Sequence, residues 1–187
     1  MNIKKIFWGL RSLLYKPFFG KYGMPSYMGK PIFISGCKNI AIGKRVRIFP
    51  SVRMEAIGEG KIEIHDDVAI GQNFHCTSAG RLIIGKKTTI SGNVFITNID
   101  HDYRMIDQHI LEQPMLIRET RIGENCFIGY GASIQAGTIL GKQCIVGTNS
   151  VVRGSFPDYS VIAGVPARVI KRYNHETKEW ERVYENK

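Results

Sequence analysis

Between residues 122 and 152 an aliphatic residue returns every six positions: Ile122, Ile128, Ile134, Leu140, Val146 and Val152. Glycine follows it at 123, 129, 141 and 147, and a small residue stands four places on, at Cys126, Ala132, Thr138, Cys144 and Ser150. The same register runs upstream through Ile42/Ile48/Met54, Ile64/Ile70/Cys76 and Ile84/Ile90/Ile96, with Val46, Val52, Val68, Thr88 and Val94 in the small slot. Six is neither the helical period nor a simple strand alternation. It predicts an all-β fold, a parallel β-helix in which three short strands make one triangular coil and the coils stack. A β-sandwich would alternate at period two, with turns every ~8–12 residues.

In such a prism each face sends one large aliphatic and one small side chain inward, with glycine or a small residue expected at the tight corner. An interior packed near crystal density does not accept a bulky residue in the small slot. Phe74 occupies one, so its coil is expected to be widened or locally out of register. Exposed coil edges require caps at both ends. Triplets begin at 42, 64, 84, 122 and 140. The coil is therefore 18 residues long, with small early insertions and one long insertion at roughly 99–118. That insertion contains Asp100, His101, Asp102, Tyr103 and Arg104. Long loops on rigid repeats commonly carry function.

A chain of 187 residues fits one domain. The expected division is an amino-terminal amphipathic basic segment at 1–29, the β-helix at 30–170 and a tail at 171–187. Ile3, Ile6, Phe7, Leu10, Leu13 and Leu14 fall on one helical stripe, while Lys4, Lys5 and Arg11 lie off it. Pro17 should end that helix. Two roles stay open for it: a cap over the first coil or against a neighbouring subunit, and a basic helix touching a membrane through residues 3–14. The tail is expected to return over the last coil as a helix or hairpin, with Trp180 as its packing anchor.

The net charge of +10 points to anionic partners. The basic residues are scattered along the repeats and no nucleic-acid-binding module is recognisable, which argues against nucleic acid. A phosphate-bearing cofactor, a nucleotide-linked sugar or an acidic membrane surface fits better. Cys76, Cys126 and Cys144 fall in inward slots, no CxxC spacing occurs and no secretory signal with a clean cleavage site is visible. No apolar run approaches the ~20 residues that span a bilayer. A cytoplasmic protein is the expectation.

Three segments carry a resemblance. They are Ile84-Gly85 through Ile96-Thr97-Asn98-Ile99-Asp100-His101, then Ile122-Gly123-Glu124-Asn125-Cys126-Phe127-Ile128-Gly129, and the closing Ala163-Gly164-Val165-Pro166-Ala167-Arg168-Val169-Ile170-Lys171. Through them residues 30–170 resemble the hexapeptide-repeat acyltransferases, above all the bacterial O-acetyltransferases of capsule and lipopolysaccharide biosynthesis. The resemblance implies a left-handed coil, against the usual right-handed rule for parallel crossovers. It also implies a homotrimer that uses acetyl-coenzyme A as co-substrate, without a metal.

By the same resemblance His101 is the general base for acetyl transfer to a sugar hydroxyl. Such a hydroxyl is protonated at neutral pH, and a base that removes its proton during attack is typically worth ~10²–10⁴ in rate. Histidine is the side chain suited to that task. The backbone N–H of Tyr130 is the candidate donor to the oxyanion. Asn73, His75 and Asp100 are assigned to the acceptor, and Asn73 can equally be a corner residue. Gly129, Gly147, Thr148, Arg153, Arg168 and Lys171 are assigned to coenzyme A, in a groove between two subunits. Asp100, Asp102 or a backbone carbonyl could orient the His101 ring.

Three other functions compete with this one. A zinc enzyme of the γ-carbonic anhydrase type needs three converging imidazoles. Here His65, His75, His101, His109 and His175 include no pair at that family's five-residue spacing. A non-catalytic scaffold is the second, and the motifs around His101 and Ala163–Lys171 speak against it. An N-acetyltransferase for an amino sugar is the third; the missing separate amino-terminal nucleotide-binding domain mildly favours O-acetylation.

Overall fold

The structure, a computed structural model, describes residues 3–183. Three parallel sheets form the faces of a prism. The first face stacks Lys21–Tyr22, Ile40–Ile42, Lys61–Ile64, Arg81–Ile84, Thr120–Ile122, Ile139–Leu140 and Ser155–Phe156. The second stacks Tyr27–Met28, Arg47–Ile48, Ala69–Ile70, Thr89–Ile90, Phe127–Ile128, Ile145–Val146 and Ser160–Gly164. The third stacks Phe33–Ser35, Arg53–Ala56, His75–Ser78, Phe95–Thr97, Ser133–Ile134 and Val151–Val152. The chain visits the faces in that order, coil after coil, as a left-handed parallel β-helix of roughly seven turns.

Register keeps like above like. Ile42 pairs with Ile64, Ile64 with Ile84, Ile84 with Ile122 and Ile122 with Leu140. These aliphatics are buried, and each contributes about 1.5–3 kcal/mol of transfer free energy. Phe74 is fully buried, yet His75 still pairs with Arg53 on one side and Phe95 on the other. The register slip considered for that coil does not occur.

The corners work differently from the expectation. The left-handed backbone falls three residues after the aliphatic, at Arg45, Asp67, Asn73, Lys87, Asn93, Asn125, Gly131, Gly137, Gln143 and Asn149. Asparagine, aspartate and glycine are the residues that tolerate it best. The glycine directly after the aliphatic serves coil-to-coil approach instead. A Cβ added at Gly123 would lie 2.1 Å from the Gly141 carbonyl oxygen, and one at Gly85 2.5 Å from that of Gly123.

The solenoid begins earlier than residue 30. Lys21–Tyr22 pairs with Ala41–Ile42 and Tyr27–Met28 with Arg47–Ile48, so Tyr22, Met28 and Ile34 form a first triplet. Ahead of it, the helix Ile3–Tyr15 lays Trp8 against Tyr27 and Phe49, at ring separations of 5.9 and 5.6 Å, and buries Ser12 against the Tyr22 hydroxyl. At the other end Ala167–Asn174 turns back antiparallel on Ser160–Gly164, and Glu179–Arg182 adds a further antiparallel strand. The tail is thus a hairpin, with Trp180 packed on Tyr173 at 5.5 Å. No helix among the described residues is long and apolar enough to cross a membrane.

One edge absorbs every irregularity. Within a coil the step from first to second face and from second to third is six residues, as in Tyr22/Met28/Ile34 and Ile84/Ile90/Ile96. From third to first it varies: chain is inserted around Cys37–Asn39, at 57–60, at 79–80 and at 98–119. The long excursion therefore leaves from the edge where the third face returns to the first.

Candidate active site

The root of the excursion is clamped to the coils. Asn98, fully buried, donates to the Ser78 hydroxyl and accepts from the Ala79 N–H, both at 3.0 Å. Its carbonyl accepts from the Arg118 N–H at 3.0 Å, and the Thr120 hydroxyl donates to the Thr97 carbonyl at 2.8 Å. From that root Ile99–His101 and Met115–Ile117 rise as an antiparallel ribbon, with His101 opposite Met115. The ribbon rests on Gly80, where a Cβ would come within 2.5 Å of Ile117. The polar residue at Asn98 was a readable signal, since it stands two places after an inward aliphatic at the start of the insertion. The sequence reading missed its role.

Beyond the ribbon the loop is tied by side chains. Gln113 accepts from the Met105 N–H and donates to the Met105 and Gln108 carbonyls, each at 3.1 Å. Asp102 takes the Arg104 guanidinium at 2.9 and 3.1 Å and the Arg104 N–H at 3.1 Å. These bonds hold its carboxyl down to about 2. His109 accepts from the Leu111 N–H at 3.2 Å.

Under the ribbon the third face forms an open depression of about 540 Å³. His101, Asp100 and Arg153 line it together with Thr77, Phe95, Thr97, Ser133 and Gln135. Arg153 donates to Asp100 at 2.9 Å, and the other Asp100 oxygen accepts from the His101 backbone N–H at 3.0 Å. Both neighbouring carboxylates are therefore engaged elsewhere, Asp100 with Arg153 and Asp102 with Arg104. The His101 Nδ1 is buried and takes no partner among the described residues. Arg153, assigned by sequence to coenzyme A, thus stands beside His101 and Asp100.

The other assigned residues lie elsewhere on the chain. Asn73 has a left-handed backbone, and its amide donates to Asn93 at 2.9 Å; Asn93 in turn bonds the Tyr130 hydroxyl. This column follows the edge between the second and third faces and does not line the depression. His75 sits on the third face, edge-on to Phe95 at 5.2 Å and 3.9 Å from Glu55. Burial and the nearby Arg53 hold its imidazole below the ordinary value, against the pull of Glu55. Gly129 and Thr148 meet at one corner, where a Cβ at Gly129 would lie 2.7 Å from the Thr148 N. Gly147 stands beside them in the chain. Arg168 and Lys171 lie on the returning strand, opposite Ala163 and Val161. No group of three or more His, Cys, Asp or Glu side chains that could hold a metal ion occurs among the described residues.

Known proteins fall on the same lines. Residues 119–153 match the pattern described as the hexapeptide repeat of succinyl-transferase. The chain is 37% identical over 162 residues, 82% of either length, to the putative lipopolysaccharide biosynthesis O-acetyl transferase WbbJ of Escherichia coli K12. It is 29% identical over 157 residues, 80% of either length, to the Escherichia coli dTDP-4-amino-4,6-dideoxy-D-glucose acyltransferase. Among solved structures, an AntD N-acyltransferase variant from Bacillus cereus, in complex with dTDP-4-amino-4,6-dideoxyglucose and coenzyme A, superposes with a TM-score of 0.75. It is 20% identical, over 89% of this chain and 91% of that one. A galactoside acetyltransferase in complex with coenzyme A superposes at 0.62, 23% identical over 93% and 77% of the two chains. Repeat, coil and long-range identity agree, and the chain belongs to the hexapeptide-repeat acyltransferases.

Proposed function

We propose that this acyltransferase moves an acetyl group from acetyl-coenzyme A to a sugar hydroxyl, with His101 as general base. One observation carries this: His101 stands over a depression whose walls offer hydroxyl, amide and guanidinium groups from Thr77, Thr97, Ser133, Gln135 and Arg153. Such groups can donate to and accept from a sugar. The chemistry is a direct displacement. His101 takes the hydroxyl proton as the oxygen attacks the thioester carbonyl. The carbon–sulfur bond then breaks, and the departing thiolate takes the proton back. The Tyr130 N–H is the oxyanion donor in this scheme.

Within one subunit Tyr130 and Asn73 lie along one edge of the third face, while the His101 ribbon leaves from the other. A homotrimer resolves this by setting the Asn73–Tyr130 edge of one copy against the His101 ribbon of the next. Tyr103, Met105, Ile106 and Leu111 are exposed on the excursion and supply apolar surface for that contact. Coenzyme A then runs along the shared groove, past Gly129, Gly147 and Thr148, toward Arg168 and Lys171. The similarity to a putative lipopolysaccharide biosynthesis O-acetyl transferase supports a cell-surface glycan as acceptor. N-acylation of an amino sugar is the second candidate, favoured by the similarity to the dTDP-amino-sugar acyltransferase.

Free-thiol release from acetyl-coenzyme A, screened over free, nucleotide-linked and lipid-linked sugars, tests the proposal. His101→Ala is expected to lower the rate by about 10²–10⁴ while leaving the melting temperature in place. A near-unchanged rate would refute His101 as the base. Activity confined to amino sugars would replace O-acetylation by N-acylation.

A further inference from the structure

The positive charge of this chain is segregated. Residues 1–54 hold 11 of the 26 Lys and Arg and none of the 16 Asp and Glu, which leaves the remainder with 15 basic and 16 acidic residues. The whole excess therefore sits at one end of the prism, on the helix and the first coils.

That end also carries an apolar face turned outward. The helix Ile3–Tyr15 meets the first coil through Trp8 and Ser12, with Tyr15 packed against the core. Its aliphatic stripe is turned away from that contact, with Ile6, Leu10 and Leu13 along the wall of a groove toward the first coils. Ile6, Phe7, Leu10, Leu13 and Leu14 are exposed, Phe7 at 61% and Leu14 at 71%, and Phe18 continues the patch. Lys5 and Arg47 border the groove of about 540 Å³ between this stripe and the first coils, and Arg45, paired with Asp67 at 2.7 Å, lines it as well. Capping is thus done by the face bearing Trp8 and Ser12, and the stripe itself is left unused by the subunit.

Charge decides what covers it. A second copy docked through this end would bring together two segments of residues 3–54, which carry no Asp or Glu of their own and keep a net positive charge after Asp67 pairs Arg45, and like charges repel. An anionic bilayer offers the complement: headgroups for the cations, and an acyl boundary for an amphipathic stripe that lies in the interfacial plane. We propose that the amino-terminal end of the prism docks on an anionic phospholipid surface, with Ile6, Phe7, Leu10, Leu13, Leu14 and Phe18 inserted. Docking there would hold the depression close to the membrane surface, within reach of a lipid-linked acceptor. It is read without acetyl-coenzyme A or acceptor, so failure of the acyl-transfer proposal would leave it standing.

Co-sedimentation of the full chain with vesicles tests this. Binding to phosphatidylglycerol-containing vesicles is expected to exceed binding to pure phosphatidylcholine by about tenfold or more, and to fall as salt is raised. The double variant L10S/L14S alters only exposed side chains, so the fold and thiol release with a soluble acceptor are expected to hold while vesicle binding drops by about tenfold or more. The charge variant K5E/K16E is expected to lose the preference for anionic vesicles. Equal binding to both vesicle types would overturn the proposal, as would undiminished binding of L10S/L14S. A fall in the oligomeric mass of lipid-free L10S/L14S would also overturn it, assigning the stripe to a second copy.

Discussion

The coils from Thr120 to Val152 and the excursion at 98–119 are built inside out relative to each other. In the coils Ile122, Ile128, Ile134, Leu140, Val146 and Val152 are buried, and order comes from packing that has no directional demand. In the excursion the buried side chains are polar, Asn98, Asp102 and Gln113, while Ile106 and Leu111 are 83% and 74% exposed. Its shape is set by directed hydrogen bonds to a few backbone groups. The difference shows how a rigid repeat carries a site: stability is collected in the coils, and the excursion is freed to present apolar surface outward and His101 inward.

The comparison can be broken most sharply by the same change on both sides of it. Ile128→Ala empties a core slot and is expected to cost about 2–5 kcal/mol in urea unfolding. Ile106→Ala is expected to stay within about 0.5 kcal/mol of the parent at fixed oligomeric state. Equal losses would mean that the excursion has a hydrophobic core of its own.

Gln113→Ala should have an intermediate effect, because it leaves the Met105 and Gln108 carbonyls and the Met105 N–H without their side-chain partner. We expect a local loss of about 1–3 kcal/mol. Hydrogen exchange would then quicken across 103–113 while amides of the coils keep their protection. Exchange that quickens equally in both regions would show that the two are one cooperative unit.

The smallest effect is a pH dependence confined to the excursion. The Arg104 guanidinium holds Asp102 near 2, below the ordinary ~3.9 of an aspartate. A depressed carboxyl stabilises the folded state above the ordinary value and loses that stabilisation as pH falls toward the folded one. Proteolytic nicking of the loop should therefore rise between about pH 4 and pH 2 in the parent. Arg104→Ala should raise it at all pH values and flatten the dependence. A flat profile in the parent would remove Asp102 from the loop's support.

The coil and its register were legible because each buried aliphatic repeats at a fixed interval and one face fixes the next. The first coil escaped detection because its slots hold Tyr22 and Met28. Glycine was legible as a requirement but its purpose was not: the contact at Gly123 involves a carbonyl one coil away, which no local pattern reports. His101 was found through the family motif, whereas Asn98, which anchors its ribbon, drew no notice. Asn73 illustrates a deeper limit, for an amide at a left-handed corner and an amide offered to a sugar are spelled alike. The helix stripe was readable by its spacing; which side faced the coil depended on Trp8 and Ser12, and only tertiary packing could decide it.

Every departure from the six-residue step, the four insertions and the shortened step from Val152 to Phe156, shares a single edge of the prism. Chain can be added or removed there without moving either of the other two corners, because strand pairing between coils is already complete on every face. That edge is a grafting seam. A lineage could exchange the segment between Asn98 and Arg118 for one of another length, and so change what the enzyme accepts, while inheriting the same stack of aliphatics unaltered.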